Sequence, residues 1–182
     1  TLDQQKLAAA LDAPVLCSEG RSYPVEIVYQ VPTAEPIWLQ SARVSLQASL
    51  KHQGSILTFL PGQREIQHAR DWLLEHNQDS QLDIYALSGA LTLAEQQQAI
   101  APSPAGRRKL VLTTNIAETS LTIEGIEVVV DSGWCRQAVY HPRHGLTRLD
   151  TVAISQAAAT QRAGRAGRLS AGTCYRLDSA EL

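Results

Sequence analysis

The 182 residues include only three cysteines, Cys17, Cys135 and Cys174, odd in number, far apart and without paired spacing. That excludes a disulfide framework and the close pairs of a zinc site, and we expect a reducing, cytoplasmic setting. Long hydrophobic runs are missing as well. No apolar stretch approaches the roughly 18 residues of a membrane span, and Thr1-Leu2-Asp3 carries neither the basic flank nor the apolar centre of a signal peptide. Polar tracts are absent and Gly (11) and Pro (8) are few, a composition that excludes disorder. Excess charge of one sign is also lacking: the net charge is −2, so any contact with nucleic acid has to be local. The Gly-x-x-x-x-Gly-Lys-Ser/Thr loop that cradles phosphates and the Gly-x-Gly-x-x-Gly turn of dinucleotide-binding domains are both missing, which removes a self-contained nucleotide hydrolase and a dehydrogenase domain. The chain opens on Thr1 rather than methionine, and we expect a fragment excised from a longer protein.

What is present is 44% apolar and 19% charged residues, enough to bury one compact core. β-branched apolar runs at 25–29, 55–60, 82–87, 109–113 and 126–130 alternate with helical patterns, which predicts crossover units and a parallel sheet. Val128-Val129-Val130 suits a strand covered on both faces. Helices are predicted from Pro36 to about His52, where the fixed φ suits a first turn, and from about Arg64 to Glu75. A third starts at Thr92, which has capping-box spacing to Glu95, and must end by Pro102 and Pro104. A fourth spans about Ser155 to Arg165, before a last strand at 173–177. Extended stretches at 134–140 and 146–154, around His141-Pro142-Arg143-His144-Gly145, read as an inserted β-hairpin.

Arginines are concentrated in the last third of the chain, among them Arg136, Arg143, Arg148, Arg162, Arg165 and Arg168. Within Gln161-Arg162-Ala163-Gly164-Arg165-Ala166-Gly167-Arg168, the residues Gln161, Arg165 and Arg168 stand at i, i+4 and i+7, one face of a helix. Glycine costs about 0.8 to 1 kcal/mol in a helix, so Gly164 and Gly167 imply the close approach of another backbone or a ligand. Two guanidiniums beside an amide suit a triphosphate; the competing reading is a basic helix end facing solvent. Thr114-Asn115-Ile116-Ala117-Glu118-Thr119-Ser120-Leu121-Thr122-Ile123 follows the strand at 110–113, at the carboxyl end where open α/β sheets bind ligands. Ser55 to Ile66 is a strand-turn-helix transition with Pro61-Gly62 as its turn.

These three segments resemble motifs VI, V and IV of superfamily 2 helicases of the DEAH-box branch, with V and VI in the wording of the bacterial HrpB type, and the resemblance covers nearly the whole chain. It implies an α/β fold: a RecA-like three-layer domain with a mostly parallel sheet flanked by helices, plus the inserted hairpin. Residues 1–20 are then the connector from a missing first RecA-like domain, with Thr1-Leu2-Asp3 running out of motif III, and 21–182 the second RecA-like, or helicase C-terminal, domain. By the same resemblance Gln161, Arg165 and Arg168 are catalytic, the glutamine touching the γ-phosphate and the arginines stabilising its charge. Thr122 and Glu124 lie at the nucleotide ribose, Glu124 standing where Asp is usual. Ile100 takes the place of a Phe that stacks on the base; without a π face, weaker stacking and relaxed nucleotide selectivity are expected, unless Ile100 is a core residue of its helix. Thr114, Asn115, Gly62 and Arg143 contact nucleic acid, and the hairpin acts as a wedge, with Arg136 and Arg148 on phosphates and Trp134, Tyr140 and His141 as stacking faces. The alternative is a solvated, decorative hairpin. His141 and His144 lack a third ligand, so no metal site is expected.

An Asp-Glu-Ala-His segment is absent too, so no carboxylate pair holds Mg²⁺, and the isolated chain is expected not to hydrolyse ATP. In a full-length protein ATP and Mg²⁺ are bound mainly by the first domain while this one supplies the arginines, and cleft closure steps the motor along single-stranded RNA, or DNA. No membrane partner is expected. A reading from another class is a non-catalytic nucleic-acid-binding module with a degenerate motor, against which the retained Gln161, Arg165 and Arg168 count.

Overall fold

The computed structural model describes residues 15–18, 21–87, 92–115, 122–168 and 170–177. Among these, the strands are β1 (Val15–Ser18), β2 (Arg21–Tyr29), β3 (Ser55–Phe59), β4 (Leu82–Leu87), β5 (Arg108–Thr113), β6 (Ile126–Asp131), β7 (Trp134–His141), β8 (Leu146–Ala153) and β9 (Gly172–Arg176). The helices are α1 (Ile37–Lys51), α2 (Gln63–His76), α3 (Leu93–Ile100) and α4 (Gln156–Gly164), the last continued by a 3₁₀ turn, Arg165–Gly167. One sheet has the order β1-β2-β9-β6-β3-β5-β4. Its six strands from β2 to β4 run parallel, and β7 and β8 form a separate antiparallel hairpin. The RecA-like α/β architecture and the inserted hairpin are as expected.

Side-chain alternation explains the layering. Along β6, Val128 and Val130 point into one apolar cluster and Val129 into the other; Leu110, Val111 and Leu112 of β5 divide in the same way. The first cluster is closed by α1 and α2 through Ala42, Ala48, Ile66 and Leu73, the second by α3, α4 and the 3₁₀ turn through Ala99, Ala163 and Ala166. A sheet covered on both faces needs apolar residues in succession, hence the continuous valine run. Arg108, at the start of β5, donates to the carbonyls of Ser49 (2.5 Å) and His52 at the end of α1, satisfying acceptors that the helix leaves open.

One strand has no counterpart in the sequence reading. β1 lies within the stretch expected to be a connector, and pairs antiparallel with the first half of β2, from Val15 opposite Pro24 to Ser18 opposite Arg21. The second half of β2, Val25 to Tyr29, pairs with β9 instead. β2 therefore begins earlier than its apolar run, because pairing rather than hydrophobicity defines its first residues, and Pro24 sits where only one side is used. Thr1-Leu2-Asp3, 88–91 and 116–121 lie outside the described residues. No helix among the described residues is long and apolar enough to cross a membrane.

The capping box of α3 is present in full. Thr92 Oγ1 accepts from the Glu95 N–H (3.3 Å) and Glu95 Oε2 accepts from the Thr92 N–H (3.0 Å). An eight-residue helix has little stability of its own, so Thr92→Ala is expected to lower folding stability by about 1 kcal/mol and Thr92→Ser to restore most of it, as measured by urea unfolding.

Candidate nucleotide and nucleic-acid interface

Three loops meet at the carboxyl edge of the sheet because three adjacent strands end there in register. The Leu60 N–H donates to the Thr113 carbonyl (2.8 Å) and the Ser132 N–H to that of Phe59 (3.1 Å). This brings Pro61-Gly62, Thr114-Asn115 and the root of the hairpin side by side. Thr114 is half-buried and Asn115 exposed at this edge; the rest of that loop, 116–121, is outside the described residues. Gly62 is buried, and its neighbour is Arg136: a Cβ at Gly62 would fall on the Arg136 Nη1.

Arg136 does not reach out to phosphate as the sequence suggested. Its guanidinium makes a two-pronged pair with Glu65, Nη1 to Oε2 at 2.9 Å and Nη2 to Oε1 at 2.6 Å. Burial pulls the Glu65 carboxyl upward, but the hydrogen bonds from Arg136 and from its own backbone N–H, with the Arg136 charge, outweigh it and hold the carboxyl below its ordinary value. His141 is likewise engaged, 2.8 Å from Asp150 Oδ2. Arg143, Arg148, Trp134 and Tyr140 are exposed on the hairpin.

The residues expected at the nucleotide gather near the opposite edge, where β3 and β6 begin. The Glu124 N–H donates to the Ile100 carbonyl (3.2 Å), and Arg168 Nη1 donates to Thr122 Oγ1 (2.7 Å). Thr122, Glu124, Ile100 and Arg168, from three separate segments, thus form one group. Ile100 is half-buried against the second core cluster, so it serves the core and presents only part of its side chain. Behind it Lys109, 1% exposed, donates through Nζ to the Ala101 carbonyl; burial pushes its pKa down, opposed by the charge of Glu124. A cavity of about 330 Å³ lies alongside, lined in part by Pro102, Ser103, Arg107 and Glu124.

Gln161, Arg165 and Arg168 do not share one exposed face. Gln161 is exposed, Arg168 half-exposed and Arg165 only 7% exposed. The α-helix stops at Gly164 and winds on as a 3₁₀ turn, whose three-residue period swings later positions off the i, i+4, i+7 stripe. Gly167 shows what its lack of a side chain is for: a Cβ would lie 2.8 Å from the Tyr23 carbonyl and 2.7 Å from Val25, so β2 is the backbone that approaches closely.

Sequence reasoning passed over the strongest interaction here. Arg162 and Asp131 are both 0% exposed and paired at 2.8 Å. The guanidinium also stacks over Phe59, 4.9 Å from its ring centre, and bonds the Trp134 carbonyl at 3.3 and 3.4 Å. Asp131 Oδ1 accepts the Gly133 N–H as well (2.8 Å). The available signal was an Asp ending an apolar strand and an Arg inside an alanine-rich helix. Removing one member of a buried pair strands the other. Arg162→Met is therefore expected to cost about 3–5 kcal/mol, and Arg162→Met with Asp131→Leu less than the sum of the two changes; strict additivity in urea unfolding would rule out coupling.

Comparison with known proteins gives the family of the chain. Residues 40–170 match the family described as the helicase conserved C-terminal domain. The chain is 49% identical over its full length to the ATP-dependent RNA helicase HrpB of Escherichia coli, and 42% identical over 91% of its length to the ATP-dependent RNA helicase HrpA of Borreliella burgdorferi. It spans only 22% and 21% of those proteins. A crystal structure of the Escherichia coli DEAH/RHA helicase HrpB superposes with a TM-score of 0.87 at 48% identity, over 100% of this chain and 23% of that one. Another, of the E. coli DExH-box NTPase HrpB, gives 0.86 at 48% identity over 90% and 20%. The chain belongs to the helicase conserved C-terminal domain family, and over its length it is similar to helicases of the HrpB type.

Proposed function

We propose that this domain, with β1 of the segment 1–20 added to the edge of its sheet, is the C-terminal half of an ATP-dependent nucleic-acid helicase. Its partners are a first RecA-like domain of the same protein and a single strand of RNA, or of DNA. The observation that carries the reading is the Arg168–Thr122 contact (2.7 Å), which joins the two motif segments beside Ile100 and Glu124. These side chains fit one side of a nucleotide: a hydroxyl, a carboxylate and an aliphatic surface for the nucleoside, a guanidinium for the phosphates. They do not fit a whole site, since no phosphate-cradling loop is present, and ATP with Mg²⁺ would be held mainly by the first domain.

Bound ATP supplies the γ-phosphoryl group for transfer to water. Arg168, already presented beside Thr122, would balance negative charge as it develops. Arg165, nearly covered, would have to be uncovered as the two domains close, and the exposed Gln161 would orient against the γ-phosphate. Thr114 and Asn115, at the far edge of the sheet, would hold the nucleic-acid backbone, with Gly62 beside them and Arg143 at the hairpin tip.

In the full-length protein, Arg168→Ala and Arg165→Ala are each expected to lower RNA-stimulated ATP turnover by about 10³-fold or more, with a smaller effect on nucleotide affinity. Steady-state turnover with and without single-stranded RNA checks this. Unchanged turnover in both variants would refute the arginine assignment, and the isolated domain is expected to show none. A wild type that binds RNA but never turns over ATP would favour the non-catalytic module.

A further inference from the structure

The hairpin is the least supported part of the fold: no residue of β7 or β8 is buried. Arg136, the third residue of β7, reaches off it to Glu65 in the first turn of α2. The pair is partly shielded, with the Arg136 side chain 32% and that of Glu65 15% exposed. Two-pronged contact between a planar guanidinium and a carboxylate fixes angle as well as distance. Gly62, at the turn that opens α2, has no side chain where the guanidinium sits. Turn, helix start and hairpin are therefore built around one side chain.

Lever length makes this contact consequential. From Arg136 to the tip at Arg143 is seven residues, or about 23 Å at 3.3 Å per residue. A tilt of about 10° at the latch would move the tip by about 4 Å.

We propose that Glu65 and Arg136 are positioning residues: their ion pair latches the hairpin to the start of α2, and so sets how much strand separation each ATP turnover yields rather than the turnover itself. The second half of this statement rests on the motor reading above. The first half does not.

The test uses the full-length protein and four variants: Glu65→Gln, Arg136→Gln, the charge-exchanged Glu65→Arg with Arg136→Glu, and Gly62→Ala, which crowds the guanidinium without removing charge. Amide hydrogen exchange over residues 134–153 is expected to quicken in Glu65→Gln, Arg136→Gln and Gly62→Ala and to slow again in the exchanged pair. With a tailed RNA duplex, Glu65→Gln and Arg136→Gln are expected to keep RNA-stimulated ATP turnover within about two-fold while strands separated per ATP fall about ten-fold, the exchanged pair recovering much of that loss. Hairpin exchange indistinguishable from wild type in all variants would overturn the latch. Turnover that falls in parallel with separation would overturn its role in coupling. A wild type without RNA-stimulated turnover would sink the motor reading, and with it the coupling role, while the exchange data still decide the latch.

Discussion

The pair between Asp131 and Arg162 is the contact on which the interface depends. Both groups are fully covered, and charges taken out of water are tolerated only when geometry and further hydrogen bonds make up the loss. Here the aspartate also accepts a backbone N–H and the guanidinium lies on the face of Phe59 and reaches the Trp134 carbonyl. One ion pair thereby joins the end of β6, the last turn of α4, the end of β3 and the root of the hairpin. Hydrophobic packing holds these elements together without choosing a rotation for α4; a buried ion pair has one satisfactory geometry and does choose.

That choice has reach because α4 links the two edges of the sheet. It starts beside the hairpin root, where the Ile154 N–H donates to the Gly133 carbonyl, and ends in the 3₁₀ turn packed by the start of β9. Loops at the carboxyl edge carry Thr114, Asn115 and the Pro61-Gly62 turn; the group of Thr122, Glu124, Ile100 and Arg168 lies near the other edge. Gly167 tightens the same arrangement by admitting the β2 backbone at a distance that any side chain would prevent.

Local pattern and tertiary contact agree closely in the core. Apolar strands buried on both faces have to be continuous, helices between them need caps and stops, and the turn residues stand where the chain reverses. Thr92 with Glu95, the valines of β6 and the hairpin turn were therefore legible as they stand. β1 was not, since nothing in Val15–Ser18 distinguishes a short edge strand from an extended connector until its partner is placed beside it.

From the sequence by itself followed the parallel α/β sheet, the inserted hairpin, the family resemblance, and the identity of the residues that could meet a nucleotide or a strand of nucleic acid, because spacing and side-chain chemistry are properties of the chain. Only the tertiary structure decided which arginines are presented. Arg162 is spent on Asp131, Arg136 on Glu65, and Arg165 is covered, while Arg168, Arg143 and Arg148 remain at the surface. The reason is physical: the partners of Arg162 and Arg136 lie 31 and 71 residues away, and no local pattern encodes a contact that only the folded sheet brings together.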